Sequence, residues 1–318
     1  MLQVGNGRTA KVVQSARRRG GVPSRTAAVA ATLAAVVLAG CGGGGGEAEA
    51  PTTVFGREAR ELAVGIAAQY SDATVDVQTT VLAQDGTAAS GLTVELAGEG
   101  GPWIRARPCG EGRYCGAFDA ARPDPALRVR VTRENGRSST VAARLPANPR
   151  PERAAAIVRD TVRAIRALSS WIVQERLGSG PPYPVLDTTF TFVAPNRMSY
   201  AIEDAGQAVV VGRLRWDREN ADAAWEQSEQ DPLDVPAPDW RRALHASLLG
   251  EGTREGRPVW RVTFYDPTVP AWFEMDVDTE TNLPLWLEMI GAAHFMTHTY
   301  RAFNAPLVVV PPVPADAG

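Results

Sequence analysis

The chain has 318 residues, 44% of them apolar, with 33 basic and 36 acidic side chains, and that length suits two domains of ordinary size. Six of the basic residues (Arg8, Lys11, Arg17, Arg18, Arg19 and Arg25) precede Cys41, and no acidic residue does; 27 basic groups then face 36 acidic ones, a net charge near −9. Nucleic acid is thereby excluded as a partner, because phosphate binding requires a basic surface, and an anionic lipid surface repels the same body.

Thr26 to Leu38 is almost wholly Ala, Val and Leu, and the arginines at 17–19 and 25 flank it. The run is shorter than the roughly 20 apolar residues of a membrane span. It reads as a cleaved export signal at 1–41; an uncleaved anchor helix is the alternative, which fits the small-residue site less well. Arg18-Arg19 is followed by Gly20-Gly21, which does not suit a twin-arginine signal, and the long basic segment is compatible with a start downstream of Met1. Leu38-Ala39-Gly40-Cys41 resembles the lipobox of bacterial lipoproteins. The resemblance implies a diacylglycerol (with palmitate-type chains) on Cys41 and cleavage ahead of it. The mature protein would then be tethered to the extracytoplasmic side of the cell membrane. Several acyl chains anchor stably where one does not. Gly42 to Gly46, Glu47 to Ala50 and the residues up to 58 read as a flexible linker.

Residues 59–147 alternate in short segments: Leu62–Ala68, Thr74–Val81, Leu92–Leu96, Trp103–Ala106, Arg113–Cys115, Leu127–Val131 and Ser139–Ala142. Asp85-Gly86, Glu111-Gly112 and Asn135-Gly136 punctuate them as hairpin turns do. Seven strands predict an all-β domain, an immunoglobulin-like sandwich. The string Asp-Gly…Gly-Leu-Thr-Val-Glu-Leu…Gly-Arg-Tyr is similar to the YtkA-like or FixH-like domains. Cys109 and Cys115 flank a turn-forming stretch. In an oxidising compartment they are expected to form a disulfide; a metal-binding pair is the rival, without the further ligands a closed site needs.

Asn148-Pro149-Arg150 leads into a helix expected from Pro151 to Gly178, with Ile157, Val158, Val162, Ile165, Leu168, Trp171 and Ile172 on one face. An antiparallel meander follows over Asp187–Val193, Met198–Ile202, Ala208–Trp216, Ala223–Glu229, Val259–Tyr265, Ala271–Val277, Pro284–Ile290 and His294–Phe303. A short second helix is expected at Trp240–Leu249. Seven of the eight tryptophans lie in this α+β part.

The helix-then-meander order resembles the LolA-like lipoprotein-carrier superfamily, which includes LppX-like and LprG-like proteins. So do Phe190-Thr191-Phe192-Val193-Ala194-Pro195-Asn196-Arg197-Met198, the run from Pro270 to Pro284 and the run from His294 to Asn304. For residues 151–314 the resemblance implies a half-barrel, a curved antiparallel sheet wrapped over a long helix, around space for acyl chains. Inward positions must then be apolar. Candidates from the helix are Ile165, Leu168 and Ile172, and Phe190 and Phe192 follow from the first strand. Alternation adds Trp260, Val262 and Phe264, then Phe273 and Met275, then Leu285 and Leu287. Aromatics with methionine make adaptable apolar walls.

His294, Met296 and His298 share a strand face and are copper candidates by ligand type. Alternation alone produces such a set, so no metal or other cofactor is assigned. Asp276 and Asp278 are expected in solvent. No nucleophile elbow, P-loop or dinucleotide fingerprint occurs, and the chain is not expected to be an enzyme. The expectation is a membrane-anchored cell-envelope lipoprotein that binds a lipid or lipoprotein acyl chain. The alternatives are a non-catalytic scaffold or sensor with an envelope protein partner, and extracytoplasmic copper handling.

Overall fold

The computed structural model describes residues 50–122 and 124–312. The export signal, Cys41 and the glycine spacer lie outside the described residues. The described residues belong to one compact unit.

Among the described residues nine strands come first: β1 (Thr53–Ala59), β2 (Leu62–Ser71), β3 (Thr74–Leu82), β4 (Leu92–Gly98), β5 (Ile104–Arg105), β6 (Arg107–Gly110), β7 (Arg113–Asp119), β8 (Ala126–Arg133) and β9 (Ser138–Arg144). They form two sheets, in the orders β1-β2-β3-β7-β6 and β5-β4-β8-β9. Val64, Ile66, Val77 and Phe118 of one sheet share a core with Leu96, Leu127, Val129 and Val141 of the other. Cys109 and Cys115 are disulfide-bonded with their Cα atoms 5.8 Å apart, which ties β6 to β7 at an exposed edge.

Residues 53–58, read as the end of a linker, belong to β1, which pairs with β2 along its whole length. Its small and branched residues are buried on both faces, so no period-two alternation marks it. The expected helix of 151–178 ends much earlier. Helix α1 spans Pro151–Arg166, with Pro151 in its first turn and Ala154, Ile157, Val158, Thr161 and Ile165 buried. Strand β10 (Ser170–Gly178) follows at once. Trp171, Ile172 and Val173 are strand formers, and ladders on both sides of β10 satisfy its backbone. Leu168, Trp171 and Ile172 suit a helical stripe, which extended the expectation too far.

The meander comprises β11 (Leu186–Val193), β12 (Arg197–Ile202), β13 (Gln207–Val211), β14 (Leu214–Arg218), β15 (Glu226–Glu229), β16 (Leu244–Arg254), β17 (Arg257–Asp266), β18 (Ala271–Asp278), β19 (Pro284–Gly291) and β20 (His294–Arg301). With β10 they make one open eleven-stranded antiparallel sheet, in the order β15-β14-β13-β12-β11-β10-β20-β19-β18-β17-β16. The single strand expected at Ala208–Trp216 is two, folded back at Gly212, whose φ of 61° suits a residue without a Cβ. The second helix expected at Trp240–Leu249 is absent. Residues 240–243 have no regular structure and Leu244 begins edge strand β16. Its register shifts after Leu244 and Leu248. Leu244 and Leu248, four apart in sequence as on a helix face, both lie on this irregular strand.

Helix α1 lies on β16 and β17, with Arg153 stacked 4.5 Å above the Trp260 ring. The helix side of the sheet is its inner face. The outer face of β17–β19 meets the sandwich. Gly56 and Gly65 form a notch for Trp272: a Cβ at Gly56 would stand 2.6 Å from the Trp272 Cβ, and one at Gly65 would fall inside the indole ring. Thr263 Oγ1 donates to the Val54 carbonyl at 2.6 Å. Arg57 donates to Ala142 O at 2.9 Å and to Glu274 Oε2 at 3.3 Å, which ties three sheets together.

Asp276 and Asp278 are not in solvent; both are fully buried. Asp276 accepts from Arg254 at 2.6 Å and Arg261 at 2.8 Å on the outer face. Asp278 pairs with Arg257 at 2.9 Å and accepts the Thr281 amide and hydroxyl, each at 2.7 Å, which fixes the β18–β19 turn. Neighbouring guanidinium groups cancel the cost of burying these charges.

Candidate functional site

Antiparallel registry decides which side chains share the inner face. Trp260, Val262 and Phe264 stand opposite Val277, Met275 and Phe273. Met275 and Phe273 stand opposite Leu287 and Met289, which pair in turn with His298 and Met296. Beyond β20 the same face continues through Val173 and Glu175, Phe190 and Phe192, and Tyr200 and Met198.

One half of this face is sealed. Val262, Phe264, Met275 and Leu287 have no exposure, the Phe264 and Phe273 rings stack 5.0 Å apart, and Trp240 closes over them edge-on, 5.5 Å from Phe264. The other half is an aromatic ladder. Trp171 and Phe192 stack at 4.6 Å, Phe192 and Phe190 at 5.9 Å, and Phe190 meets Tyr200 at 5.6 Å. Phe190 is half-buried, whereas Phe192 is buried. The ladder contributes apolar area and adaptable ring faces.

The remaining expected site residues separate by position. Ile165 is on the buried face of α1, and Leu168 is buried in the connection to β10. Ile172 lies on the opposite face of β10 from Trp171 and Val173, since successive strand residues alternate. Leu285 is buried at a register shift between β18 and β19.

A polar cluster interrupts the apolar face at its centre. His298 is buried, with Nε2 2.8 Å from Glu175 Oε2 and Nδ1 3.2 Å from Asp239 Oδ2. Tyr300 Oη donates to the same Asp239 oxygen at 3.2 Å. Burial opposes the imidazolium charge, but the Asp239 and Glu175 carboxylates outweigh it and hold the His298 pKa at about 9. Burial likewise opposes the Asp239 charge, yet contact with His298 keeps that carboxyl below its ordinary range. Burial, then Asp239, drives the Tyr300 phenol far upward, so it stays a donor. Burial lowers the His294 pKa.

Both His298 nitrogens thus face carboxylate oxygens, Nε2 toward Glu175 and Nδ1 toward Asp239. In the set of His294, Met296 and His298, the His298 ring is already engaged by two carboxylates. Among the described residues no group of three or more His, Cys, Asp or Glu side chains is placed to hold a metal ion.

Sequence reasoning missed Glu175, Asp239 and Tyr300. Tyr300 was within reach, two residues from His298 on the same strand face. Glu175 was hidden in the overextended helix, and Asp239 lies in a proline-rich connection without periodicity.

A second polar group lies on β14. Arg215 binds Asp217 Oδ1 at 2.6 Å and donates to Tyr200 Oη at 3.0 Å, which closes the far end of the ladder.

No family model matches the chain, and no curated protein matches it either. Among solved structures it is similar to LprF from Mycobacterium bovis, with 13% identity over 52% of this chain and 99% of that one and a TM-score of 0.37. It is similar to the lipoprotein LppX of Mycobacterium tuberculosis, with 10% identity, 50% and 99% coverage and a TM-score of 0.31. A LolA superfamily protein from Nitrosomonas europaea gives 10% identity, 51% and 94% coverage and a TM-score of 0.22.

Proposed function

We propose that the protein binds a hydrophobic ligand, an acyl chain of a lipid or lipoprotein, against the inner face of its open sheet. The observation that carries the proposal is the ladder of Trp171, Phe192, Phe190 and Tyr200 on that face. It lies on β10–β12, away from the strands under the helix. Removing apolar surface from water yields about 25 cal/mol per Å², so a long hydrocarbon chain binds well without polar contacts.

An open antiparallel sheet over one helix supports a LolA-like half-barrel. For the sandwich, the strand orders β2-β3-β7-β6 and β5-β4-β8-β9 support an immunoglobulin-like reading, in which they would stand as A-B-E-D and C′-C-F-G. Membrane attachment through an acylated Cys41, facing the outside of the cell membrane, belongs to the same proposal. Among the described residues no helix is long and apolar enough to cross a membrane.

The test is uptake of a fluorescent fatty acid by the mature chain. Phe190→Asp puts a charge on the ladder at its half-buried rung, where the fold tolerates it better than at fully enclosed Phe273. Capture is expected to fall about tenfold or more, since an unpaired charge facing a hydrocarbon is strongly disfavoured. Undiminished capture by the folded variant would reject the ladder as the binding surface.

A further inference from the structure

Strands β15 and β16 are the two edges of the eleven-stranded sheet, yet they are consecutive in the chain. Residues 230–243 must therefore cross from one edge to the other, and the bonds along the way show that they cross the inner face. At the start, the Gln230 amide donates to Arg213 O at 2.9 Å, and the Val235 amide reaches Pro195 O at 3.4 Å. In the middle, Asp239 meets His298 and Tyr300 of central strand β20. Trp240 then covers Phe264 and Phe273. At the end, the Arg241 and Arg242 amides donate to Asp266 Oδ2 at 2.6 and 3.0 Å.

We propose that residues 230–243 are a strap that gates the inner face, latched at its midpoint by Asp239 on His298 and Tyr300. The inference rests on the hydrophobic-ligand reading and assigns the route by which that ligand enters and leaves. Three features support a separable element. The segment has no regular structure between Gln230 and Ala243, so no sheet ladder has to break when it lifts. The Trp240 indole N–H finds no acceptor among the described residues, which leaves packing to hold the ring. The midpoint contact is charge-assisted, the strongest kind of side-chain hydrogen bond. Lifting the strap would uncover Phe264 and Phe273, continuous with the aromatic ladder across β19, β20 and β10.

The latch responds to charge in a defined direction. The groups facing His298 are Glu175 on β10, Asp239 on the strap, and Tyr300 and His294 on β20. Loss of the imidazolium proton leaves two carboxylates around a neutral ring, so alkaline solution weakens the latch. Near neutral pH it is shut, and opening requires a ligand or partner that competes for Asp239 or the Trp240 seat.

Hydrogen exchange and probe release, read together on the full-length chain, test the inference. In Asp239→Asn the amides of 235–243 are expected to exchange about tenfold faster, the scale set by losing a charged hydrogen bond, while β17–β19 stay protected. Release of a bound fluorescent fatty acid is expected to accelerate to match, and His298→Gln is expected to behave likewise. Unchanged strap exchange in both variants, or equal acceleration of the strap and β17–β19, would overturn the strap as a separate unit. A freed strap with unchanged release would overturn its role as the gate while leaving ligand binding intact. If neither wild type nor variant took up the probe, the hydrophobic-ligand reading would fall, and the gate with it.

Discussion

Asp276 shows how much one side chain can hold. It is fully buried and shared by two half-exposed guanidinium groups. Asp276→Ala frees Arg254 and Arg261 to turn toward water, so the loss is that of two part-exposed ion pairs and not of a stranded buried charge. About 2 kcal/mol of stability should disappear, read as a lower urea midpoint with unchanged slope. His298 makes a pH prediction with a fixed sign. Its pKa rises from 6.5 unfolded to about 9 folded, so its contribution is complete below pH 6.5 and fades as pH climbs through 9. The amount is on the order of 3 kcal/mol. The urea midpoint of wild type should therefore fall relative to His298→Gln between pH 6 and pH 9.5, and a constant difference would contradict the imidazolium.

Among elements, β1 and β2 are the most constrained, because they are covered on both faces. Gly65→Ala pushes a methyl into the Trp272 ring, and overpacking of this kind costs about 1–3 kcal/mol. A melting temperature equal to wild type would mean that the two lobes are not held together at Trp272. The Cys109–Cys115 bridge closes a short loop, six residues apart in sequence, so its removal by serine substitution should cost about 2 kcal/mol in the chain-entropy picture. Elements that alternate cleanly were legible from sequence. Strands β3, β8, β17 and β18 fall within a residue or two of their expected ends, with the expected inward and outward sets on β17 and β18. What hid were elements whose pattern answers to a partner far away in sequence. Strand β1 does not alternate because the half-barrel covers its second face. Strand β10 passed for helix because Trp171 and Ile172 fit either period. The burial of Asp276 depends on arginines fifteen and twenty-two residues upstream, which periodicity alone does not reveal.

Across the whole molecule, the sandwich backs the outer face of β17–β19 and the helix backs the inner face of β16–β17, which leaves the ladder on β10–β12 as the apolar part of the inner face that neither covers. The polar cluster at the centre was invisible from sequence for a topological reason: Glu175, Asp239 and His298 are spread over 124 positions of the sequence and meet only when the strap crosses the sheet. The central claim is that the inner face holds a hydrocarbon ligand. Native mass spectrometry of the protein purified from its own membrane tests this most directly. The account predicts a bound mass of lipid size that organic extraction removes and that Phe190→Asp fails to retain. A protein of bare polypeptide mass (allowing for the acyl group on Cys41), indistinguishable from the Phe190→Asp variant, would contradict it.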